Sequence, residues 1–91
     1  MALLTPDEIE NHLAELDDWR VEDGAIVKEV KRGDFAGSVE LVDEILPVAE
    51  GMNHHPDLAI SWDTVTITIV THSEGGLTDA DFRLAAQIDK L

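Results

Sequence analysis

The chain has no cysteine, only six lysines and arginines against twenty acidic residues, and no long apolar run. Each scarcity excludes something. Without cysteine there is no disulfide framework. The opening "MALLTPDE" is neither basic nor long enough to read as a signal peptide, so a stapled secreted domain is set aside and a cytoplasmic protein is expected. A bilayer span needs about 20 consecutive apolar residues, and none occurs, so no membrane partner is expected. The shortage of bases leaves a formal net charge of −14, a field that repels phosphate backbones and argues against nucleic acid as a partner. Self-repulsion of that size also strains a compact state. It points to a salt-rich, halophile-like cytoplasm, where molar salt shortens the screening length to about 3 Å.

What is present is a core. Hydrophobic residues make up 44% of the 91, too many for a disordered acidic tail and enough for one domain over residues 1–91. "LTPDEIENHLAEL" carries a helix start: Thr5 as cap, Pro6 in the first position, Glu8 closing a capping box, and Leu4 and Ile9 as a staple. Ile9, Leu13 and Leu16 then form its buried stripe. "WRVEDGAIVKEV" reads as two strands joined at Asp23-Gly24. "DFAGSVELVDEILPVAEGMN" is a longer helix with Phe35, Val39, Val42, Ile45/Leu46, Ala49 and Met52 at helical spacing, widened by Leu41 and Val48. Pro47 falls on its polar side with Glu40, Asp43 and Glu44 and is expected to bend it.

"LAISW" and "TVTITIVTH" form a second strand pair joined near Asp63, with Val65, Ile67 and Ile69 on one face and the threonines, Val70 and His72 on the other. In "GGLTDADFRLAAQIDKL" a loop leads to a helix capped by Thr78, with Asp79 and Asp81 in its first turn and Leu77 and Phe82 as staple. The order αββαββα, dominated by hairpins, predicts an α+β fold: a four-stranded antiparallel sheet with three helices on one face.

Three of the four histidines fall in "EGMNHHPDLAISWDTVTITIVTH". A lone histidine is by default a surface or capping residue, and His12 on the first helix is read that way. His54 and His55 occupy the turn before the third strand, where Pro56 biases His55 toward extended backbone. His72 stands at the end of the fourth strand. Three imidazoles able to converge, each titrating near neutrality, offer both an acid and a base. Zinc sites space cysteine and histidine, or set histidines at i and i+4. Adjacent histidines in extended backbone point apart, so no metal is expected. Asp81 has two readings: a carboxylate at the third helical position can cap the helix whether or not chemistry occurs. Spacing names no reaction.

Glu50, "GMN", "HHP", then Trp62, His72 and Asp81 together resemble the signature of the pterin-4a-carbinolamine dehydratases, and "THSEGGLTDADFRLAAQID" looks like that family's closing segment. The resemblance runs from "LTPDEIE" to the end of the chain. It implies the same αββαββα fold and dehydration of a 4a-hydroxytetrahydropterin to the quinonoid dihydropterin, with no metal and no organic cofactor. It further implies His54 and His72 as acid/base groups, His55 holding the pterin, and Asn53 with the Val70, Thr71, His72 and Ser73 backbone lining the ring. Glu50 and Asp81 would orient or tune the imidazoles, and Trp62 would wall the pocket or simply join the core. Homodimers or homotetramers are the family's assemblies. Two rivals remain at this point. One is a non-catalytic dimeric binding module of the same fold, since animal members also partner a homeodomain transcription factor. The other is a metal-dependent hydrolase built on the same histidines.

Overall fold

Thr5 opens the first helix through the reciprocal bonds that its spacing to Glu8 allows. In the computed structural model, which describes residues 2–91, the Thr5 hydroxyl accepts from the Glu8 N–H at 3.2 Å and the Glu8 carboxylate accepts from the Thr5 N–H at 2.9 Å. The bond from the Thr5 backbone, reinforced by its hydroxyl, holds the Glu8 carboxyl below the usual carboxylate range. Helix α1 spans Pro6–Leu13 and stops short of Leu16, but Leu4, Ile9, Leu13 and Leu16 all pack on the core as the stripe requires.

The strands are β1 (Arg20–Glu22), β2 (Ala25–Lys31), β3 (Asp57–Ser61) and β4 (Thr64–Ile69), hydrogen-bonded in the order β1-β2-β4-β3 with every pair antiparallel. Asp23 (φ 51°) and Gly24 (φ 80°) give the first hairpin the two left-handed residues that match strand twist. The register aligns Ile26 with Ile69 and Val30 with Val65, so the apolar sets of both strands share one face. Ile26, Val65, Ile67 and Ile69 are fully buried there beneath the helices. The opposite face carries Thr64, Thr66 and Thr68, each half-buried, with Val27 buried beside Thr68. Across this face Arg20 reaches Glu29 through two bonds of 3.0 and 2.8 Å and holds that carboxyl below its usual range.

Helix α2 (Phe35–Met52) is capped by Asp34, whose Oδ1 accepts from the Gly37 N–H at 2.7 Å. Most of the expected stripe docks: Leu41, Ile45 and Ala49 are buried with Ser38, and Val42, Val48 and Met52 pack beside them, while its Phe35, Val39 and Leu46 edge lies exposed. The reason is that apolar side chains cover a wide arc of α2, so periodicity alone does not select the edge that docks. Small Ser38 decides it: its hydroxyl donates to the Trp62 carbonyl at 2.7 Å, seating the start of α2 on the β3–β4 turn. Pro47 lies exposed and does not end the helix, which runs on to Met52.

Strand β4 ends at Ile69, earlier than expected. Gly75 (φ 75°) and Gly76 fold the chain back, so that Thr71 bridges Gly76, and His72–Glu74 forms a 3-10 turn instead of more strand. Helix α3 (Asp79–Ile88) then buries Ala80, Asp81, Phe82, Leu84, Ala85 and Ile88. Beyond its end, Asp89 accepts from the Trp19 indole at 3.0 Å and from Lys28 at 2.9 Å, tying α3 to the sheet. Among the described residues no helix is long and apolar enough to cross a membrane.

Candidate active site

Helix α2 needs a stop, and Asn53 provides it in the left-handed conformation (φ 49°), its N–H returned to the Ala49 and Glu50 carbonyls. That geometry sends His54, His55 and Pro56 out as a short extended run into β3. Successive side chains there leave in different directions, and the two rings find different carboxylates.

His54 turns inward. Its Nε2 lies 2.6 Å from Asp81 Oδ1, with the ring 16% exposed and the carboxylate fully buried. The other oxygen, Asp81 Oδ2, accepts from the Thr78 N–H and from the Thr71 hydroxyl, each at 2.8 Å. The Thr71 and Thr78 hydroxyls are themselves 2.8 Å apart. A buried carboxylate is tolerable only when its oxygens are satisfied, and both are. The two readings of Asp81 therefore coexist on separate atoms: Oδ2 caps the start of α3, and Oδ1 holds an imidazole.

Because Nε2 faces a carboxylate, the neutral ring of His54 carries its proton there, leaving Nδ1 as the basic atom. His55 has the same arrangement in the open: its Nε2 meets Glu50 Oε2, with side chains 56% and 63% exposed.

His72 begins the 3-10 turn, immediately after Thr71, and is joined to the Asp81 cluster through that neighbour. Its ring is exposed and lies beside an open concavity of about 370 Å³ on the threonine face of the sheet, lined also by Arg20, Asp57, Thr66, Thr68 and Val70 but by neither His54 nor His55. This volume is in the range of small-molecule sites. Ser73 is exposed in the same turn, and Asn53 is exposed at the end of α2. A separate groove of about 420 Å³ between α2 and α3, bordered by Val48, Met52 and Arg83, carries none of the histidines.

Two residues sit elsewhere. Trp62, expected as pocket wall or core, is not core and lines neither concavity described above. It occupies the β3–β4 turn at φ 49°, 67% exposed, at the opposite end of that hairpin from His54. The turn needs a left-handed residue between Ser61 and Asp63, and that turns the indole out to solvent. His12 stacks on Phe82 with ring centroids 4.8 Å apart, a packing role. Among the described residues, no three His, Asp or Glu side chains are grouped so as to hold a metal ion. The sequence reading missed the Thr71 hydroxyl as a partner of the Asp81 carboxylate. Only the Thr78–Asp81 spacing signalled any of this, as a helix cap.

Comparison with known proteins places these features in context. The family described as Pterin 4 alpha carbinolamine dehydratase matches residues 2–91. A protein of Mycobacterium sp. (strain KMS), provisionally named a pterin-4-alpha-carbinolamine dehydratase, is 44% identical over all of this chain and 97% of its own length. One from Metallosphaera sedula with the same provisional name is 42% identical over all of this chain and 95% of its own. The crystal structure of a transcriptional coactivator/pterin dehydratase from Brucella Melitensis superposes with a TM-score of 0.93 at 31% identity, covering 98% of this chain and 97% of that one.

Proposed function

Starting from a chain that belongs to the pterin 4 alpha carbinolamine dehydratase family, we propose that it dehydrates a 4a-hydroxytetrahydropterin by histidine acid/base catalysis. The C4a–O bond breaks as the departing oxygen takes a proton and leaves as water. A ring N–H proton goes to a base, and its electron pair forms the new C=N bond. The observation that carries this reading is the buried His54–Asp81 pair set beside the turn that bears His72.

In this mechanism His54 works through Nδ1, since Asp81 occupies Nε2. His72 supplies the second proton-transfer group from the edge of the concavity, and each transfer contributes about 10²–10⁴-fold. Asp81 fixes the His54 tautomer and stabilises the imidazolium while the ring holds a second proton. His55, paired to Glu50 in the open, grips the pterin, with Asn53 and the Val70–Ser73 backbone offering polar groups to the ring edges. Exposed Phe35, Val39 and Leu46 on α2 and the uncovered edges β1 and β3 favour a homodimer or homotetramer as the working form.

The test is turnover of the 4a-carbinolamine by His54→Ala and His72→Ala. Each should fall at least about tenfold while circular dichroism stays native. Wild-type turnover in both variants would remove the mechanism.

A further inference from the structure

Asp81 governs His54, but a carboxylate governs a ring only if something governs the carboxylate. Its two oxygens can swing about the bond to the side chain. One oxygen must be anchored for the other to stay on Nε2. The backbone N–H of Thr78 is one anchor, and as part of the α3 cap it would be present in any helix started by this pair. The other anchor belongs to a different element. The Thr71 hydroxyl reaches Asp81 Oδ2 at 2.8 Å and contacts Thr78 Oγ1 at the same distance. Thr71 is also the residue on which the His72 turn closes. Its carbonyl accepts from the N–H groups of Glu74, Gly75 and Gly76, and its own N–H donates to the Gly76 carbonyl.

We infer that Thr71 is a positioning residue for the reaction. Its side chain locks the rotation of Asp81, and through it the tautomer of His54, while its backbone sets the turn that carries His72. One residue thus registers both proton-transfer groups against each other. The inference deepens the dehydratase reading and rests on it, because His54 and His72 matter together only if both transfer protons. Nothing in the helix cap requires it: a cap needs only the Thr78–Asp81 exchange. A half-buried threonine hydroxyl donated to an already capped carboxylate adds direction, since losing it removes a donor from Oδ2 and lets the carboxylate turn.

The test is Thr71→Val, which keeps the shape and removes the hydroxyl, beside Thr71→Ser, which keeps the hydroxyl. Nitrogen-15 NMR of histidine-labelled protein, at a pH where the rings are neutral, reads which nitrogen of His54 carries the proton. Ionisable groups on the surrounding elements are Asp79, Asp81 and Arg83 of α3, Glu50 of α2, His55 and Asp57 beyond His54, and His72 and Glu74 in the turn, and neither substitution alters them. Wild type and Thr71→Ser should hold the Nε2–H form, and Thr71→Val should show the Nδ1–H form as well. In the dehydratase assay the valine variant should lose about tenfold in kcat with KM within about twofold, and serine should recover most of it. A valine variant with the wild-type tautomer, or with wild-type kcat despite a changed tautomer, overturns the inference. If the valine variant lacks a folded spectrum, Thr71→Ala is read by the same criteria. An inactive wild type would instead remove the dehydratase reading, and the tautomer would then decide alone whether Thr71 positions His54.

Discussion

His54 and His55 are neighbours in sequence, and each offers Nε2 to a carboxylate, yet the two pairs are opposites in every other respect. Asp81 has no exposure, sits on a short side chain in the first turn of a packed helix, and is held by two further donors. Glu50 is a long side chain at the exposed end of α2, paired with His55. A contact in high dielectric between mobile side chains contributes about 0–1 kcal/mol and is screened by salt. The same contact under a core is strong only because the protein has already borne the cost of orienting it. On the proposed mechanism the two pairs divide the labour. The buried ring, held by its carboxylate, transfers protons, and the exposed ring moves with an arriving substrate.

The largest expected effect breaks the buried pair. Asp81→Ala removes the acceptor of the Thr78 N–H and of His54 Nε2 in an environment with little water, and leaves the Thr71 hydroxyl its contact with Thr78. An unsatisfied buried polar group costs about 1–3 kcal/mol, so urea unfolding should report a loss of at least about 2 kcal/mol. Turnover should fall about a hundredfold alongside it. Glu50→Ala should do neither. Equal stabilities for the two variants would show that burial does not separate the pairs.

A finer cut is Asp81→Asn, which keeps an oxygen for the Thr78 N–H but removes the charge. If Asp81 served only as a cap, about 0.5–1 kcal/mol would be lost and turnover per folded molecule would stay the same. Because its Oδ1 faces His54, the imidazolium also loses its counter-charge. The protonated ring is then less favoured, and the pH–rate profile moves toward acid. Asn additionally turns an N–H toward Nε2 and so favours the wrong tautomer, lowering kcat at every pH. A lower thermal midpoint with an unshifted profile would return Asp81 to a purely structural role.

How these pairs arose was only half legible in the sequence. The capping box of Thr5 and Glu8, the Asp23-Gly24 hairpin and the alternation of β4 are local, and they are found as the residues dictate. Which edge of the α2 stripe stays in solvent was not legible, because Ser38 buries through a bond to the Trp62 carbonyl, a contact between segments far apart in the chain. The end of β4 was masked by the Thr71–Gly76 closure for the same reason. At the site, His54, His55 and His72 stood out by type and spacing, and Glu50 and Asp81 through the family resemblance. Their pairing did not. Which ring meets which carboxylate depends on how α2 ends at Asn53 and on where α3 docks, and neither is encoded within the "NHHP" stretch alone.

The exposed ring gives the next prediction. His55→Ala should raise KM several-fold and leave kcat within about twofold, since a group that grips substrate and transition state alike contributes uniform binding. The reverse pattern, a fallen kcat at unchanged KM, would make His55 a proton-transfer group and erase the division of labour. Steady-state kinetics across substrate concentration separates the two.

The smallest effect should come from salt, and it distinguishes the pairs without touching the core. Screening lengths fall from about 10 Å at 0.1 M to about 3 Å at 1 M. Attraction between Glu50 and a protonated His55 lies in solvent and should be largely lost across that range. The contact of Asp81 with His54 is shielded by the protein and should not be. Any change that Glu50→Gln makes to KM at low salt should therefore shrink in 1 M KCl, while the profile shift of Asp81→Asn persists. The net charge of −14 adds a second, independent response. Self-repulsion is relieved by the same screening, so the thermal midpoint of the wild type should rise as KCl increases. Sulfate is unsuited to the experiment because it strengthens apolar burial whatever the charge. A midpoint unmoved by KCl would remove the salt-adaptation reading of the acidic surface. A profile shift in Asp81→Asn that vanished at 1 M would mean that the buried pair is open to solvent after all.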